Sequence, residues 1–230
     1  MGMTIAVPDS LGLAGEDVRG VLALARASAP GVRFEVRPEQ IELHTAGPHS
    51  RDTRIACGVV LLNVRLALQG HGIRPLVTLL PGQSANDAAA AVRLGGYQEP
   101  DPDVLALLHA LRTNRRTWTT YPELSCWRGL LSRAAEVERA WLHVKDGAEL
   151  VLCTFNQGAA AEIRAGQAMQ RVALTAGTMG IAVGPALDPI SLSALRADLR
   201  PCLGNTLVPQ MVLRLGAGMN TCPSRAARGS

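Results

Sequence analysis

Aromatic residues are scarce in this chain. Only 3% of its 230 residues are Phe, Trp or Tyr, whereas 47% are hydrophobic. Proteins that bind single-stranded nucleic acid usually stack several bases on exposed aromatic rings. The composition therefore argues against such a surface, while the aliphatic content is enough for a core in one domain or two small ones.

Lysine is almost absent. Lys145 is the one lysine among 23 basic residues, and the formal net charge is +4. The arginines are spread along the chain rather than gathered in one long run, which favours local binding of small anions over a nucleic-acid surface. We therefore expect a small-molecule substrate and no nucleic-acid partner.

Several common motifs are also missing. The five cysteines have no CxxC spacing, and the five histidines have no HxxxH or HExxH spacing. We therefore expect reduced thiols, a cytoplasmic protein and no metal site. No apolar run is long enough for a membrane span, residues 1–10 lack the pattern of a secretory signal, and no GxGxxG follows a strand. We thus expect no membrane association and no Rossmann domain.

Periodicity predicts alternating helices and strands. Residues 32–36 and 41–43 alternate between apolar and polar positions around a Pro-containing turn, as in a β-hairpin. The Ala-rich residues 85–94 favour a helix or an edge segment, residues 95–103 resemble a linker, and Asp103 is expected to cap the next helix. The remaining predicted helices are 16–28, 53–70, 127–139, 162–178 and 191–199, and the remaining strands are 73–81, 140–145, 147–155, 181–183 and 208–215.

An arginine cluster follows the predicted helix that begins near residue 103. Arg112, Arg115 and Arg116 enclose Thr113 and Asn114. Arginine forks bind phosphate bidentately, and Thr and Asn side chains can complete the site. Alternatively, the arginines only complement the negative end of the helix dipole. Both interpretations remain open from this stretch alone.

The two long helices look alike at an offset of 108 residues. GVVLLNVRLALQGHGI, residues 58–73, aligns with GQAMQRVALTAGTMGI, residues 166–181, and the matches include glycines at both ends. Two related units packed around a pseudo-two-fold axis would explain the match, and the two helices would then pack together near the centre. Two buried helices that end in glycine would also look alike without any such relation.

Four stretches together resemble the nitroreductase-like FMN-binding superfamily, most closely its Acg-type branch. They are RIACGVVLLNVRLALQGHGIRPLVTLLP, RTNRRTW, AGQAMQRVALTAGTMGIAVGPAL and VPQMVLRLGAGMNTCPSRAAR, and they cover most of the chain from about residue 34 onward. The resemblance implies an α+β sandwich with a mixed, mostly antiparallel sheet flanked by helices. It also implies two fused pseudo-repeat units, a degenerate one at 1–100 and one with the arginine-rich phosphate site at 101–228.

The resemblance further implies FMN as cofactor. By motif position, Arg112, Asn114, Arg116 and Arg225 correspond to phosphate and ribityl ligands. Gly184, Pro185 and Ala186 match the loop that lies against the flavin ring, where a backbone N–H can bond the ring nitrogen N5. No catalytic side chain is implied, and NAD(P)H would dock transiently as electron donor.

Two departures from the family leave the function open between two classes. The Ser-x-His-Asn-x-Gln-Pro-Trp-like segment that contacts the flavin in relatives is missing after the first helix, and the middle of the second unit is short. One expectation is an FMN-dependent oxidoreductase acting on a small molecule, such as a specialised metabolite. The other is a non-catalytic FMN-sequestering or degenerate binding protein. Either is expected to be a pseudo-dimeric monomer or a homodimer.

Overall fold

The computed structural model describes residues 7–28, 31–45, 47, 50–82, 88–113, 126–144, 149–186 and 206–216. Within these ranges the chain forms five helices and eight strands. In chain order they are α1 (Gly15–Arg26), β1 (Val32–Arg37), β2 (Gln40–Thr45), α2 (Arg51–Gly70), β3 (Ile73–Leu79), β4 (Ala90–Tyr97), α3 (Pro102–Thr113), α4 (Cys126–Val137), β5 (Trp141–Val144), β6 (Glu149–Thr154), α5 (Ala159–Thr178), β7 (Val183–Pro185) and β8 (Val208–Leu215).

The strands form two four-stranded sheets. Sheet 1 has the order β1-β2-β4-β3 and sheet 2 the order β5-β6-β8-β7. Every pairing between these strands is antiparallel. The α+β class is thus confirmed, while the mixed sheet that the family resemblance implied is not found among the described strands.

The same succession of elements occurs twice. Helix, hairpin, long helix and two further strands follow one another as α1-β1-β2-α2-β3-β4 and again as α4-β5-β6-α5-β7-β8. The strand orders correspond as well. In each sheet the second hairpin strand, β2 or β6, pairs with the last strand of its succession, β4 or β8, and that strand pairs with β3 or β7 at the edge. The extra helix α3 separates the two successions.

Each sheet has its own core, and the two long helices lie between them. The inner side of sheet 1 packs with α1 and α2 through residues such as Ile41, Val92 and Leu61. The inner side of sheet 2 packs with α4 and α5 through residues such as Leu152, Leu213 and Val172. All six are fully buried, which explains why the apolar residues of both long helices cover more than one face.

Both long helices end in the same way. The next glycine after each one, Gly72 and Gly180, has a positive φ of 75° and 73°. L side chains rarely adopt this conformation, so glycine is favoured where a helix must turn directly into a strand. At the other end, Ser50 caps α2 by accepting the N–H of Thr53 at 3.2 Å.

The sequence predictions hold for the hairpin, both long helices and the closing strand, and fail at three points. Residues 90–97 form β4, an inner strand of sheet 1 rather than a helix or an edge segment, so the predicted linker begins inside this strand. Asp103 does not cap α3, because Asp101 accepts the N–H of Asp103 at 2.8 Å. The predicted strand 181–183 is found two residues later, as β7, and the predicted helix 191–199 lies outside the described residues.

Among the described helices, none combines the length and the apolar content that a membrane span requires.

Candidate functional site

Arg112 is the one predicted phosphate ligand whose position the structure describes. It lies in the last turn of α3 and is exposed. Leu108 and Leu111 of the same helix belong to a buried cluster that includes Leu66 of α2. Arg112 follows Leu108 by four positions, so it lies at the edge of this buried face with its side chain exposed.

The other predicted phosphate ligands lie outside the described residues. They are Asn114, Arg116 and Arg225. The convergence of the four side chains on one anion therefore stays a prediction.

Gly184, Pro185 and Ala186 are largely part of a strand rather than a free loop. Gly184 lies opposite Arg214 and Pro185 opposite Leu213 in sheet 2. The N–H of Ala186 is donated to the carbonyl of Val212 at 2.9 Å. Since proline has no N–H, neither Pro185 nor Ala186 offers the backbone donor that the resemblance implied for flavin N5.

Gly184 nevertheless leaves room beside the strand. Among the described residues, no atom beyond its chain neighbours comes within 4 Å of the position that a Cβ would take. Pro185 is exposed and Ala186 is half-buried. A flat group could therefore approach the backbone here more closely than at a residue with a side chain.

The end of α3 and the start of β7 lie near the same end of α5. Ala110, two residues before Arg112, approaches within 4.0 Å of the position that a Cβ on Gly177 would take. Gly177 is in the last turn of α5, and β7 begins six residues later. The helix that carries Arg112 thus approaches the C-terminal end of α5, from which the chain continues into the predicted ring-contact segment.

The two long helices touch through their backbones. A Cβ on Gly58 would lie 2.0 Å from the carbonyl oxygen of Ile163, and one on Gly166 would lie 2.0 Å from that of Ile55. The contact is reciprocal, because Ile55 and Ile163, like Gly58 and Gly166, are 108 positions apart. The predicted packing of these helices against each other is confirmed.

Polar contacts between α2 and α5 extend along the helices. Arg54 pairs with Glu162 near the N-terminal ends, and these positions are again 108 apart. Gln170 donates to Asn63 at 2.9 Å about two turns further on. The partners advance together along both helices, so the helices run in the same direction.

Glu138 joins three elements at the buried side of this helix pair. It accepts one hydrogen bond from Arg65 of α2 at 2.6 Å and another from Arg171 of α5 at 2.7 Å. Its residue is only 6% exposed. The sequence suggested that Glu136, Glu138 and Arg139 form a solvated face, and this is wrong for Glu138, because its partners come from distant helices.

A buried polar group lies near the first turn of α2. Gln210 lies at the bulge between β6 and β8. Its side-chain Nε2 donates to the hydroxyl of Thr154 at 2.8 Å, and its backbone carbonyl accepts from Arg51. Gln210 is 1% exposed, and its Oε1 finds no hydrogen-bond partner among the described residues. Sequence reasoning missed this group, although a glutamine inside the otherwise apolar strand VPQMVLRL was a possible signal.

The described histidines include one that sequence reasoning did not connect with other ligand residues. His44 lies on β2 beside Glu42 and near Glu35 of β1. His109 of α3 is exposed, as expected for a surface residue. The group formed by His44 is considered separately below, because it lies on the outer face of sheet 1.

Comparison with known proteins gives no assignment. No family model matches the chain, and no curated protein matches it significantly.

Proposed function

We propose that the chain is an FMN-dependent oxidoreductase with a nitroreductase-like fold made of two fused pseudo-repeat units. The first unit, residues 1–100, would be degenerate, and the second, residues 101–228, would carry the phosphate site. The substrate would be a small molecule, and NAD(P)H would act as a transient electron donor.

The observation that carries the proposal is the repeated succession of elements around the paired long helices. Both successions share one order and one sheet topology. The backbones of Gly58 and Gly166 meet reciprocally between them. In the family that the sequence resembles, two separate units form a dimer with FMN between them. One chain with both units would supply both sides of such a site as a pseudo-dimeric monomer, whether or not it also forms a homodimer.

The described residues fit FMN in two respects. Arg112 offers an exposed guanidinium for a phosphate, which forms strong charge-assisted hydrogen bonds with arginine. Beyond the chain neighbours of Gly184, no described atom comes within 4 Å of a Cβ placed on it, and α3 and β7 both lie near the C-terminal end of α5. Asn114, Arg116 and Arg225 would complete the phosphate and ribityl contacts.

The chain's own role would be to bind and orient. When bound, FMN supplies the centre that exchanges hydride. Arg112 would hold the phosphate, and the segment Gly184, Pro185 and Ala186 would limit the position of the ring. This division of roles needs no acid–base side chain of the protein.

A second candidate is a non-catalytic FMN-sequestering or degenerate binding protein. It is favoured by the hydrogen bond from the Ala186 N–H to Val212, together with the missing N–H of Pro185. A ring lying against β7 would then find no donor for N5 at Pro185 or Ala186. Binding without turnover would follow.

The visible spectrum of the purified protein before and after addition of FMN tests the proposal. An oxidised-flavin spectrum that NADH or NADPH bleaches anaerobically, with recovery on addition of a nitroaromatic or quinone acceptor, supports the oxidoreductase. Bound flavin that neither nucleotide reduces supports the non-catalytic binder. A protein that stays colourless and does not quench the fluorescence of added FMN contradicts both.

A further inference from the structure

The outer face of sheet 1 carries three side chains that are common metal ligands. Glu35 of β1 lies directly opposite Glu42 of β2, and His44 follows Glu42 by two positions. Side chains two positions apart on a strand share a face, and directly opposed residues of two paired strands do so as well. The hairpin therefore brings Glu35, Glu42 and His44 to one side of the sheet.

The ligand atoms converge. Nε2 of His44 is 3.3 Å from Oε2 of Glu42 and 3.8 Å from Oε2 of Glu35. Each of the three residues offers one ligand atom such that all three atoms lie within 4.8 Å of one another. Zinc binds nitrogen and oxygen at about 2.0–2.2 Å in tetrahedral geometry, so two ligand atoms of one ion are about 3.4 Å apart. Only a small movement of the half-exposed Glu35 would give the three atoms this spacing.

The second oxygen of each carboxylate is already held by another side chain. Oε1 of Glu42 accepts from Gln40 at 2.5 Å, and Oε1 of Glu35 accepts from Arg37 at 2.7 Å. Gln40 is itself fixed, because its Oε1 accepts from Arg93 at 2.9 Å. Outer contacts of this kind orient the ligands of protein metal sites and raise metal affinity.

The two carboxylates of the group share the guanidinium of Arg37. Its Nη2 lies 2.7 Å from Oε1 of Glu35. Arg37 offers one positive charge to two carboxylates, and its contact with Glu42 is longer, at 3.7 Å. The side chains of Glu42 and His44 are only 13% and 16% exposed, which limits the screening by water.

We propose that Glu35, Glu42 and His44 form a zinc-binding site on the outer face of sheet 1. Oε2 of each glutamate and Nε2 of His44 would be the three protein ligands, and water would take the fourth position. The site does not depend on the proposed flavin function, since it uses sheet 1 alone. In the competing arrangement, a proton on His44 bridges it to Glu42 and no metal binds.

The test uses tag-free, full-length protein freed of metal by a chelator and dialysed. Co²⁺ is the spectroscopic probe and Zn²⁺ the competitor. We expect one equivalent of Co²⁺ to give visible d–d bands of a tetrahedral or five-coordinate N/O site, without thiolate charge-transfer absorption. Zn²⁺ should displace Co²⁺ with a dissociation constant below about 100 μM.

Variants identify the site. Glu42→Gln and His44→Gln should each weaken Zn²⁺ binding at least about ten-fold, and Gln40→Leu should weaken it by roughly ten-fold through the lost outer contact. His143→Gln is the matched control, because His143 lies on strand β5 of sheet 2 and has no such neighbours among the described residues. It should leave binding unchanged.

Three outcomes would overturn the zinc site. They are no saturable binding up to about 100 μM metal, thiolate absorption with Co²⁺, and an affinity that Glu42→Gln and His44→Gln leave intact. Far-ultraviolet circular dichroism checks that each variant is folded. If Glu42→Gln were unfolded, Glu35→Gln at the 51% exposed side chain would replace it with the same expected loss.

Discussion

Arg112 shows how one residue can separate two interpretations of the arginine cluster. As a phosphate ligand it would lose a charge-assisted contact on truncation, whereas as a mere complement to the helix dipole it would affect only the stability of α3. Its exposure at the end of α3 is compatible with either role. A binding measurement can therefore decide between them.

We predict that Arg112→Ala weakens FMN binding by roughly ten- to a hundred-fold, because one charge-assisted contact contributes about 1.5–3 kcal/mol. The melting temperature without FMN should change little, since the side chain is exposed. Quenching of FMN fluorescence during titration measures the affinity. Arg19→Ala, an exposed arginine of α1, is the control. Equal affinities of the two variants would favour the dipole interpretation.

Burial determines the chemistry of the two cysteines whose side chains the structure describes. Cys57 and Cys153 are free and fully buried. Burial raises the pKa of Cys57 to about 11 and that of Cys153 to about 12. The expectation of free thiols is therefore confirmed for these two cysteines. The side chains of Cys126, Cys202 and Cys222 lie outside the described structure.

We predict that Cys57 and Cys153 resist alkylation in the native protein at pH 8 and react fully in denaturant. Unfolded thiols ionise near their ordinary pKa of about 8.5. Between about pH 9 and pH 11 the unfolded chain therefore binds fewer protons than the native chain, and stability should fall as the pH rises. Peptide mapping after iodoacetamide treatment measures the labelling. Native labelling of either residue at the rate seen in denaturant would contradict the burial.

At the scale of elements, the crossing of α2 and α5 is the tightest described contact between the two halves of the chain. Gly58 and Gly166 each lie against the backbone of the other helix, where no side chain fits. Backbone atoms cannot rotate away as the end of a long side chain can. A single added methyl group must therefore separate the helices.

We predict that Gly58→Ala lowers the free energy of unfolding by about 1–3 kcal/mol, the usual range for overpacking a core. Gly20→Ala in α1 is the matched control, because no atom of the described residues, apart from its chain neighbours and the helix's own backbone, lies within 4 Å of the added methyl. It should be neutral or stabilise the protein by up to about 1 kcal/mol, since glycine is a poor helix residue. Urea denaturation of both variants gives the comparison. A Gly58→Ala variant as stable as Gly20→Ala would rule out the close crossing.

At the scale of the whole molecule, Glu138 connects the two successions of elements. It lies just after α4 and binds Arg65 of α2 and Arg171 of α5. The side chains of Arg65 and Arg171 are 21% and 13% exposed, so both are partly desolvated. Among the described residues, Glu138 is the one carboxylate that pairs with either arginine, and Arg65 also contacts the neutral Gln167.

We predict that Glu138→Gln destabilises the protein by about 2 kcal/mol, because it leaves partly buried positive charges without their counter-charge. Glu136→Gln, two residues away on the exposed face of α4, should change stability by less than about 0.5 kcal/mol. Thermal and urea unfolding of the pair measure the difference. Equal stabilities would mean that the contact contributes little to the joining of the two halves.

Local patterns in the sequence were sufficient to predict those helices and strands whose apolar residues repeat along one face. The alternation in β1 and β2, the apolar surfaces of α2 and α5, and the glycines that end them all predicted the observed elements. The same signals identified Gly58 and Gly166 as matching positions. These features follow from the spacing of residues within one element, which the sequence displays directly.

Only the tertiary structure decided the features that depend on distant neighbours. The alanines at 88–91 favour a helix by propensity, but small side chains also fit the fully buried centre of sheet 1 beneath α2. The residues around Glu138 are typical of a solvated helix face. In the structure, however, this carboxylate accepts from Arg65, which lies 73 positions earlier in the chain. Glu35, Glu42 and His44 have no metal-ligand spacing in the chain, because the register of a hairpin, rather than a sequence interval, brings them together.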